Sequence, residues 1–137
     1  MNLKKEHDAN AISIVASVGL SGDDLAVAML NQSDDCIKLL NIDGRLEFMN
    51  CNGLDAMEIA QPDMVLGKFW WELWPKQSRT FVERKFLEAA RGEESSFEAD
   101  CPTAMGTHRR WSVNLRPICA RTGLVVSVLC ISRDITV

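Results

Sequence analysis

Three features are missing from this chain of 137 residues: a long hydrophobic run, a secretory signal and a basic stripe. The longest uncharged apolar stretch, residues 9–20, is shorter than the ~20 residues that a transmembrane helix needs. Acidic residues follow the first lysines, and no small-residue cleavage pattern comes after the apolar stretch. The net charge is −4 with both signs interspersed, and the short cluster at residues 108–110 is too small to neutralise a phosphate backbone. We therefore expect neither membrane insertion nor nucleic-acid binding.

The cysteines also exclude a class of site. There are five, an odd number, and no two lie within ten residues of each other, so no CxxC metal or redox pair exists. Most lie among valines and isoleucines, where a reduced cysteine behaves as a small hydrophobic residue. We predict that all five are buried thiols and that the protein works in the reducing cytoplasm.

The sequence contains few candidate catalytic residues. The two histidines, His7 and His108, lie near the start of the chain and beside a turn, away from any candidate nucleophile. The glycines are scattered singly, so no phosphate-binding loop is present. We expect no enzymatic activity and no metal site.

What the chain does contain is a change of hydrophobic period, first helical, then alternating, then helical, then alternating again. Helices are predicted over residues 9–20, 23–31, 53–59 and 80–91, and strands over residues 36–42, 45–50, 95–101, 109–119 and 124–133. Five antiparallel strands with helices inserted between the second and third strands make an α+β domain.

Local signals refine three of these elements. Asp43-Gly44 predicts a two-residue hairpin, and the strand after it is expected to place Leu46 and Phe48 on one face and Glu47 and Met49 on the other. Thr80 is a candidate N-cap for the long helix, which Gly92 ends. The last strand is apolar on both faces, as expected of a central strand.

In order and spacing, the motifs resemble those of the PAS domain, a sensory module of bacterial signalling proteins. The resemblance rests on residues 33–59, 66–75, 80–92, 109–118 and 132–136. It implies a PAS fold, a five-stranded antiparallel sheet in the order 2-1-5-4-3 with helices on one face. An N-terminal helical extension would occupy residues 1–31, and the PAS domain residues 32–137.

The resemblance also implies a small pocket between the sheet and the helices. Ten residues are candidates to line it: Met49, Leu54, Met57, Trp71, Trp74, Phe86, Phe97, Trp111, Val113 and Cys130. The same side chains could equally fill a core. In the tryptophan segment at residues 70–74, we expect Trp74 in the core and either Trp70 or Trp71 at the border of the cavity or of an interface.

No cofactor can be identified from these residues. The photoadduct flavin domains need a reactive cysteine that residues 61–71 lack, and the heme sensors of the family use a histidine that residues 80–91 lack. A non-covalent flavin or a small apolar ligand stays open, and heme has the weaker support because only a cysteine or methionine could ligate it.

The function implied by the resemblance is sensory. Asp134, Ile135 and Thr136 match the tripeptide that closes the last PAS strand and passes the signal into a downstream effector, and we expect polar contacts from Asp134 and Thr136 to anchor that strand. We expect a histidine kinase as effector, with this chain as the N-terminal portion of a longer protein.

The alternative is a ligand-free module for dimerisation or protein docking. Its basis is the apolar surface of the N-terminal helices, in which Ile12, Val15, Leu25 and Met29 are the candidate interface residues. A homodimer is expected under both interpretations, because dimer geometry is a route by which such a domain can bias its effector.

Overall fold

The computed structural model describes Asp8 and residues 22–137. Its contacts divide the chain into two units, with the boundary between Gln32 and Ser33. The described part of the first unit includes helix α1 (Gly22–Gln32), which agrees with the predicted helix over residues 23–31. The predicted helix over residues 9–20 lies outside the described residues.

The second unit holds the five strands and the remaining helices. Its elements are β1 (Cys36–Asn41), β2 (Leu46–Met49), α2 (Cys51–Ala56), three short 3-10 helices (Pro62–Met64, Trp70–Leu73 and Lys76–Ser78), α3 (Arg79–Ala90), β3 (Ser95–Asp100), β4 (Arg110–Cys119) and β5 (Val125–Asp134). Every strand predicted from the sequence is present, with its ends within one residue of the predicted ones.

The strands form one antiparallel sheet in the order β2-β1-β5-β4-β3, which confirms the predicted order. The helices contact one face of this sheet, α2 against β1 and α3 against β3, β4 and β5. Alternation in β4 follows from that arrangement, because Trp111, Val113 and Leu115 are buried while Arg110 and Arg116 are exposed.

The central strand β5 is apolar on both faces but buried on only one. Val128, Cys130 and Ser132 are buried, whereas Leu129 and Ile131, on the opposite face, are only partly covered. An antiparallel sheet can leave one face accessible in this way, since no crossover helices are needed to connect its strands.

Strand β2 departs from the predicted alternation. Leu40 pairs with Leu46 and Leu39 with Phe48, so Glu47 is an extra residue in the ladder. This bulge turns Met49 to the same buried side as Leu46 and leaves Phe48 exposed. The expectation that Leu46 and Phe48 share a face was wrong, because a bulge breaks the period of two.

The β1–β2 hairpin has a three-residue loop, not the two-residue loop that Asp43-Gly44 predicts. The Asn41 N–H donates to Arg45 O at 2.9 Å and the Gly44 N–H to Asn41 O at 3.0 Å. Gly44 has φ +94°, the left-handed conformation typical of the last position in such a loop.

The long helix α3 begins at Arg79, one residue before the predicted start. Its N-cap position is Ser78, which makes no side-chain capping bond, so the prediction of Thr80 as the cap was wrong. Val82, Phe86 and Ala89 form its buried stripe, whereas Phe81 is exposed. Gly92 ends the helix with φ +103°, as predicted.

Helix α2 begins two residues before the predicted start because Asn50 caps it. The Asn50 side chain is fully buried; its oxygen accepts from the N–H groups of Gly53 and Ile37, and its amide donates to Asp35 O. One side chain therefore satisfies the helix end and ties it to β1.

The cysteines divide into two groups. Cys36, Cys101 and Cys130 are buried, while Cys51 and Cys119 are exposed. The prediction of five buried thiols was wrong for these two, since Cys51 occupies the first turn of α2 and Cys119 the end of β4, where side chains meet solvent.

Candidate functional site

A small cavity lies between the buried face of the sheet and the tryptophan segment. Its volume is about 30 Å³. Its lining comes from β1, β2, β4, β5 and the connecting segments, namely Cys36, Lys38, Met49, Met57, Trp70, Leu73, Trp74, Cys101, Trp111 and Ser132. The walls are mostly aromatic rings, thioethers and thiols, and Lys38 is the one cation among the lining residues.

Four of the ten predicted pocket residues line this cavity. They are Met49, Met57, Trp74 and Trp111. The bulge in β2 places Met49 there, and the inward side of β4 places Trp111 there. The Trp111 indole is oriented by its N–H, which donates to Cys101 O at 3.2 Å.

The other six predicted residues do not line it. Leu54 borders a separate groove with Met49 and Leu66, while Val113 and Cys130 are buried within the core under the sheet. Phe86 and Trp71 pack on each other with ring centroids 5.6 Å apart, and Phe97 packs against Trp74 at 5.5 Å. These six side chains contact other parts of the core or a separate groove, so they do not line the cavity.

The tryptophan segment explains that division. Trp70 and Trp74 are both buried and meet edge to face at 5.9 Å, so both border the cavity. Trp71 points the other way, stacked on Phe69 at 5.0 Å and close to Gly44 of the hairpin. Trp74 belongs to the core as predicted, and of the other two it is Trp70 that reaches the cavity.

Lys38 is the unexpected member of the site. Its side chain is only 4% exposed. The ammonium donates to Ser132 Oγ at 2.9 Å, to Cys36 Sγ at 3.2 Å and to Cys36 O at 3.3 Å. These acceptors are a hydroxyl, a cysteine sulfur and a backbone carbonyl, and no carboxylate of the described residues lies within 4.0 Å of the ammonium to form an ion pair.

The thiols around Lys38 do not neutralise it at physiological pH. Burial raises the pKa of Cys101 and of Cys130 to about 11, so both are uncharged at pH 7. Burial is the largest single influence on the pKa of Lys38 and lowers it, but the attraction of the ammonium to Cys130, Cys36 and Cys101 in their ionised forms together outweighs burial, and the net direction is upward. The cavity therefore contains a positive charge inside apolar walls.

Sequence reasoning missed Lys38, although a signal for it exists. Cys36, Lys38 and Leu40 share one side of β1, and the flanking two are apolar. A lysine between two core positions of a strand either reaches solvent or is buried, and the period alone does not distinguish these outcomes. Ser132 was missed for the same reason, as a polar residue on the buried side of β5.

The dimensions of the cavity bear on the cofactor question. Sites for cofactors and drug-sized ligands usually measure about 300–1,000 Å³, roughly ten to thirty times the volume found here. A flavin or heme ring does not fit between these side chains as they are arranged.

A wider vestibule adjoins the cavity on its outer side. Its volume is about 310 Å³, and it shares Met49, Met57, Leu73 and Trp74 with the inner cavity. The Ala104 N–H donates to Met57 O at 3.0 Å and the Thr103 hydroxyl to a Glu58 carboxylate oxygen at 2.9 Å, which closes one side. Glu58 adopts φ +56°, a strained conformation for a non-glycine residue.

The C-terminal tripeptide forms a compact set of polar contacts at the end of β5. The Thr136 hydroxyl donates to Asp134 Oδ1 and accepts from the Arg110 N–H at 2.9 Å, while the Ile135 N–H donates to Arg110 O at 2.8 Å. The hydrogen bonds from Thr136 and the nearby Arg109 cation lower the pKa of Asp134. The polar contacts predicted for Asp134 and Thr136 are thus confirmed.

Two further findings concern membranes and metals. No helix among the described residues is long and apolar enough to cross a membrane. Within the same residues, no group of three or more potential metal ligands comes together.

Comparison with protein families gives one match, to the PAS fold, over residues 30–137. No curated protein sequence matches the chain.

Solved structures resemble the chain at low sequence identity. A PAS domain from Colwellia psychrerythraea has a TM-score of 0.73 and 16% identity, covering 82% of this chain and 96% of its own. The PAS domain of an HTR-like protein from Haloarcula marismortui has a TM-score of 0.69 and 24% identity, with coverages of 82% and 96%. A domain of a sensory box sensor histidine kinase/response regulator from Geobacter sulfurreducens has a TM-score of 0.69 and 18% identity, with coverages of 82% and 93%.

Proposed function

This chain belongs to the PAS fold family, and we propose that it is a sensory module that passes the state of its cavity to an effector domain through the end of β5. The PAS fold is in general a sensory and regulatory module. The proposal assigns no catalytic step to the chain itself.

The observation that supports this proposal is the proximity of the cavity lining to the C-terminal junction. Ser132 lines the cavity and lies two residues before Asp134 on the same strand. Trp111, also in the lining, pairs with Asp134 across β4 and β5. Arg110, the neighbour of Trp111, holds Thr136 and Ile135. A shift of Ser132 would therefore reach the junction through two peptide bonds of β5, and a shift of Trp111 through one ladder pair.

The effector that we propose is a histidine kinase. A structurally similar domain belongs to a sensory box sensor histidine kinase/response regulator, and its likeness to this chain is one of fold. Coupling energies of about 1–3 kcal/mol, or five- to 150-fold in equilibrium affinity, are usual between two coupled sites.

The cellular setting and assembly follow from separate observations. The five cysteines are unpaired, which suits a reducing cytoplasm. We also propose a homodimer through the N-terminal extension. Leu25 is half-buried and Met29 is exposed on α1, whereas Ile12 and Val15 lie outside the described residues.

The test is a fusion of residues 1–137 to the dimerisation and catalytic core of a histidine kinase. Replacing Asp134 by Ala removes the acceptor for Thr136 while leaving the core intact. We expect the autophosphorylation rate of the fusion to change at least fivefold, with the melting temperature of the sensory part nearly unchanged.

Arg116→Ala provides the matched control. Arg116 also pairs with a carboxylate on the sheet, at 3.8 Å from Glu94, but at the end of the sheet away from the junction. This variant should keep the rate of the unmodified fusion. Equal rates in the fusion, Asp134→Ala and Arg116→Ala would contradict the role assigned to the junction.

A further inference from the structure

The cavity contains the buried ammonium of Lys38, and no carboxylate among the lining residues pairs with it. Lys38 is buried, and its hydrogen-bond partners among the described residues are a hydroxyl, a cysteine sulfur and a backbone carbonyl, with no carboxylate. Removing an ammonium from water costs several kcal/mol after relaxation, and neutral acceptors recover only part of that. Buried charges in proteins are usually paired or bound to a counter-ion. An anion in the cavity would supply the missing partner.

The size of the cavity limits what that anion can be. A cavity needs about 10–15 Å³ of such volume to hold one water molecule, so about 30 Å³ accommodates a group of a few non-hydrogen atoms. Phosphate esters, nucleotides and aromatic acids exceed that size. Formate and acetate are of the right order.

The polar groups of the cavity match a carboxylate. Ser132 Oγ accepts from Lys38 at 2.9 Å, which leaves its own hydroxyl proton for a further acceptor; Cys130 Sγ is 4.0 Å away, beyond a strong hydrogen bond. The ammonium and this hydroxyl provide two donors on one side. The rest of the lining, including Trp70, Trp74 and Met57, is apolar and suits a short hydrocarbon end.

We propose that the cavity binds a short-chain monocarboxylate, with its carboxylate on Lys38 and Ser132 and its hydrocarbon end against the tryptophan and methionine side chains. The inference rests on the proposed sensory function for its biological meaning, but the binding itself does not require that function. In that setting the carboxylate is the signal, and Ser132 brings it into contact with β5.

The vestibule provides the entry path. Met49, Met57, Leu73 and Trp74 separate it from the inner cavity, because they line both. Methionine side chains are unbranched and flexible, so Met49 and Met57 are the most adaptable residues between the two spaces. The vestibule also has room for a chain longer than that of acetate.

The experiment is a titration of the 137-residue chain with acetate, followed by tryptophan fluorescence. Three of the four tryptophans line the cavity, so binding should change the emission in a saturable way. Acetamide, which has the same shape and no charge, should give no saturable change, and neither should chloride. An equal response to acetamide or to chloride would overturn the carboxylate assignment.

Two variants distinguish the contribution of Lys38 to acetate binding from that of other lysines. Lys38→Met keeps the length of the side chain without its charge, and such replacements of buried charges are often tolerated by the fold. It should weaken acetate binding at least tenfold, whereas Lys68→Met, at an exposed position, should bind as the unmodified chain does. A loss of less than tenfold in a folded Lys38→Met chain would overturn the proposal.

If circular dichroism shows that Lys38→Met is unfolded, Ser132→Ala takes its place. That variant keeps the charge and removes the hydroxyl donor, so weaker acetate binding is expected, and unchanged affinity would count against the site. If the chain does not bind acetate but Asp134→Ala still changes the rate of the kinase fusion, the carboxylate site is refuted and the proposed sensory function is not. Binding of acetate with no effect of Asp134→Ala on the fusion would refute the proposed function alone.

Discussion

The side chains around Lys38 set the chemical character of the protein's interior. Three buried thiols, one ammonium and one serine hydroxyl lie together under an aromatic layer. Burial raises the pKa of the Cys101 and Cys130 thiols to about 11, although the Lys38 ammonium lowers both, so these two thiols stay neutral well above pH 7. This neutrality makes the folded state sensitive to alkaline pH.

We expect the raised pKa of the Cys130 thiol to lower the free energy of unfolding as the pH rises. Its pKa is about 11 in the folded chain because of burial, against 9.0 for an unperturbed thiol. Between these values the unfolded chain has released the proton and the folded chain has kept it, so the contribution is complete below pH 9 and is lost as the pH rises towards 11. We expect a loss of about 2 kcal/mol from this group between pH 8 and 10.5.

Urea unfolding at both pH values, in reducing buffer, measures this loss. The chain has no tyrosine, which removes one other group that titrates in this range. Cys130→Ala should show a shallower fall in the free energy of unfolding, while Cys119→Ala, at an exposed thiol, should follow the unmodified chain. The same fall in all three chains would show that Cys130 is not responsible.

At the scale of elements, the β1–β2 hairpin and the tryptophan segment depend on each other. The N–H of Trp70 donates to Gly44 O at 2.9 Å, and that of Leu46 donates to Lys68 O at 2.9 Å. The guanidinium of Arg45 lies 4.1 Å above the Phe69 ring and donates to Gly67 O at 2.8 Å. The hairpin thus fixes the segment that carries the cavity's tryptophans.

Gly44→Ala should break this arrangement. A methyl group on Gly44 would lie 2.3 Å from the Trp71 ring, and the residue also has φ +94°. The left-handed conformation costs about 1–2 kcal/mol with a side chain, and overpacking adds about 1–3 kcal/mol. We expect a loss of about 2–5 kcal/mol in the free energy of unfolding, measured by urea denaturation.

Gly123→Ala isolates the backbone part of that loss. Gly123 has a similar φ of +90° in the β4–β5 turn, but a methyl group there would meet nothing within 4 Å. Gly123→Ala should therefore lower the free energy of unfolding by only about 1–2 kcal/mol. If both variants lost the same amount, the contact between Gly44 and Trp71 would be of no energetic consequence.

At the scale of the whole molecule, the prediction concerns dimerisation through the N-terminal extension. Met29 is 65% exposed on α1, and Val27 is also exposed. A helix with large exposed apolar side chains is a candidate interface. Deleting residues 1–30 should therefore reduce the mass measured by light scattering from two chains to one.

Met29→Asp tests the same surface with a single charge. It should shift the chain towards the monomer, whereas Leu124→Asp, which alters a similarly exposed residue in the β4–β5 turn, should leave the mass unchanged. An unmodified chain that is monomeric, or a deletion that leaves the dimer intact, would rule out this interface.

The sequence by itself determined the strands, because alternation and turn residues are local properties. The family and the strand order followed from the resemblance of its motifs, in order and spacing, to those of the PAS domain. It also placed Asp134 and Thr136 in polar contact, since those residues are two apart in the chain. Of the four proposed pocket residues that line the cavity, Trp111 does so for a related reason, as periodicity identifies the inward side of a regular strand.

Only the tertiary structure decided which inward residues meet an empty space and which meet one another. The bulge at Glu47, the cap at Asn50 and the burial of Lys38 each depend on contacts between different elements. Lys38 meets Ser132 across 94 positions of the chain. A lysine's charge is visible in the sequence, but whether that charge lies in water or in a cavity is settled only when β1 and β5 pair beneath the tryptophans.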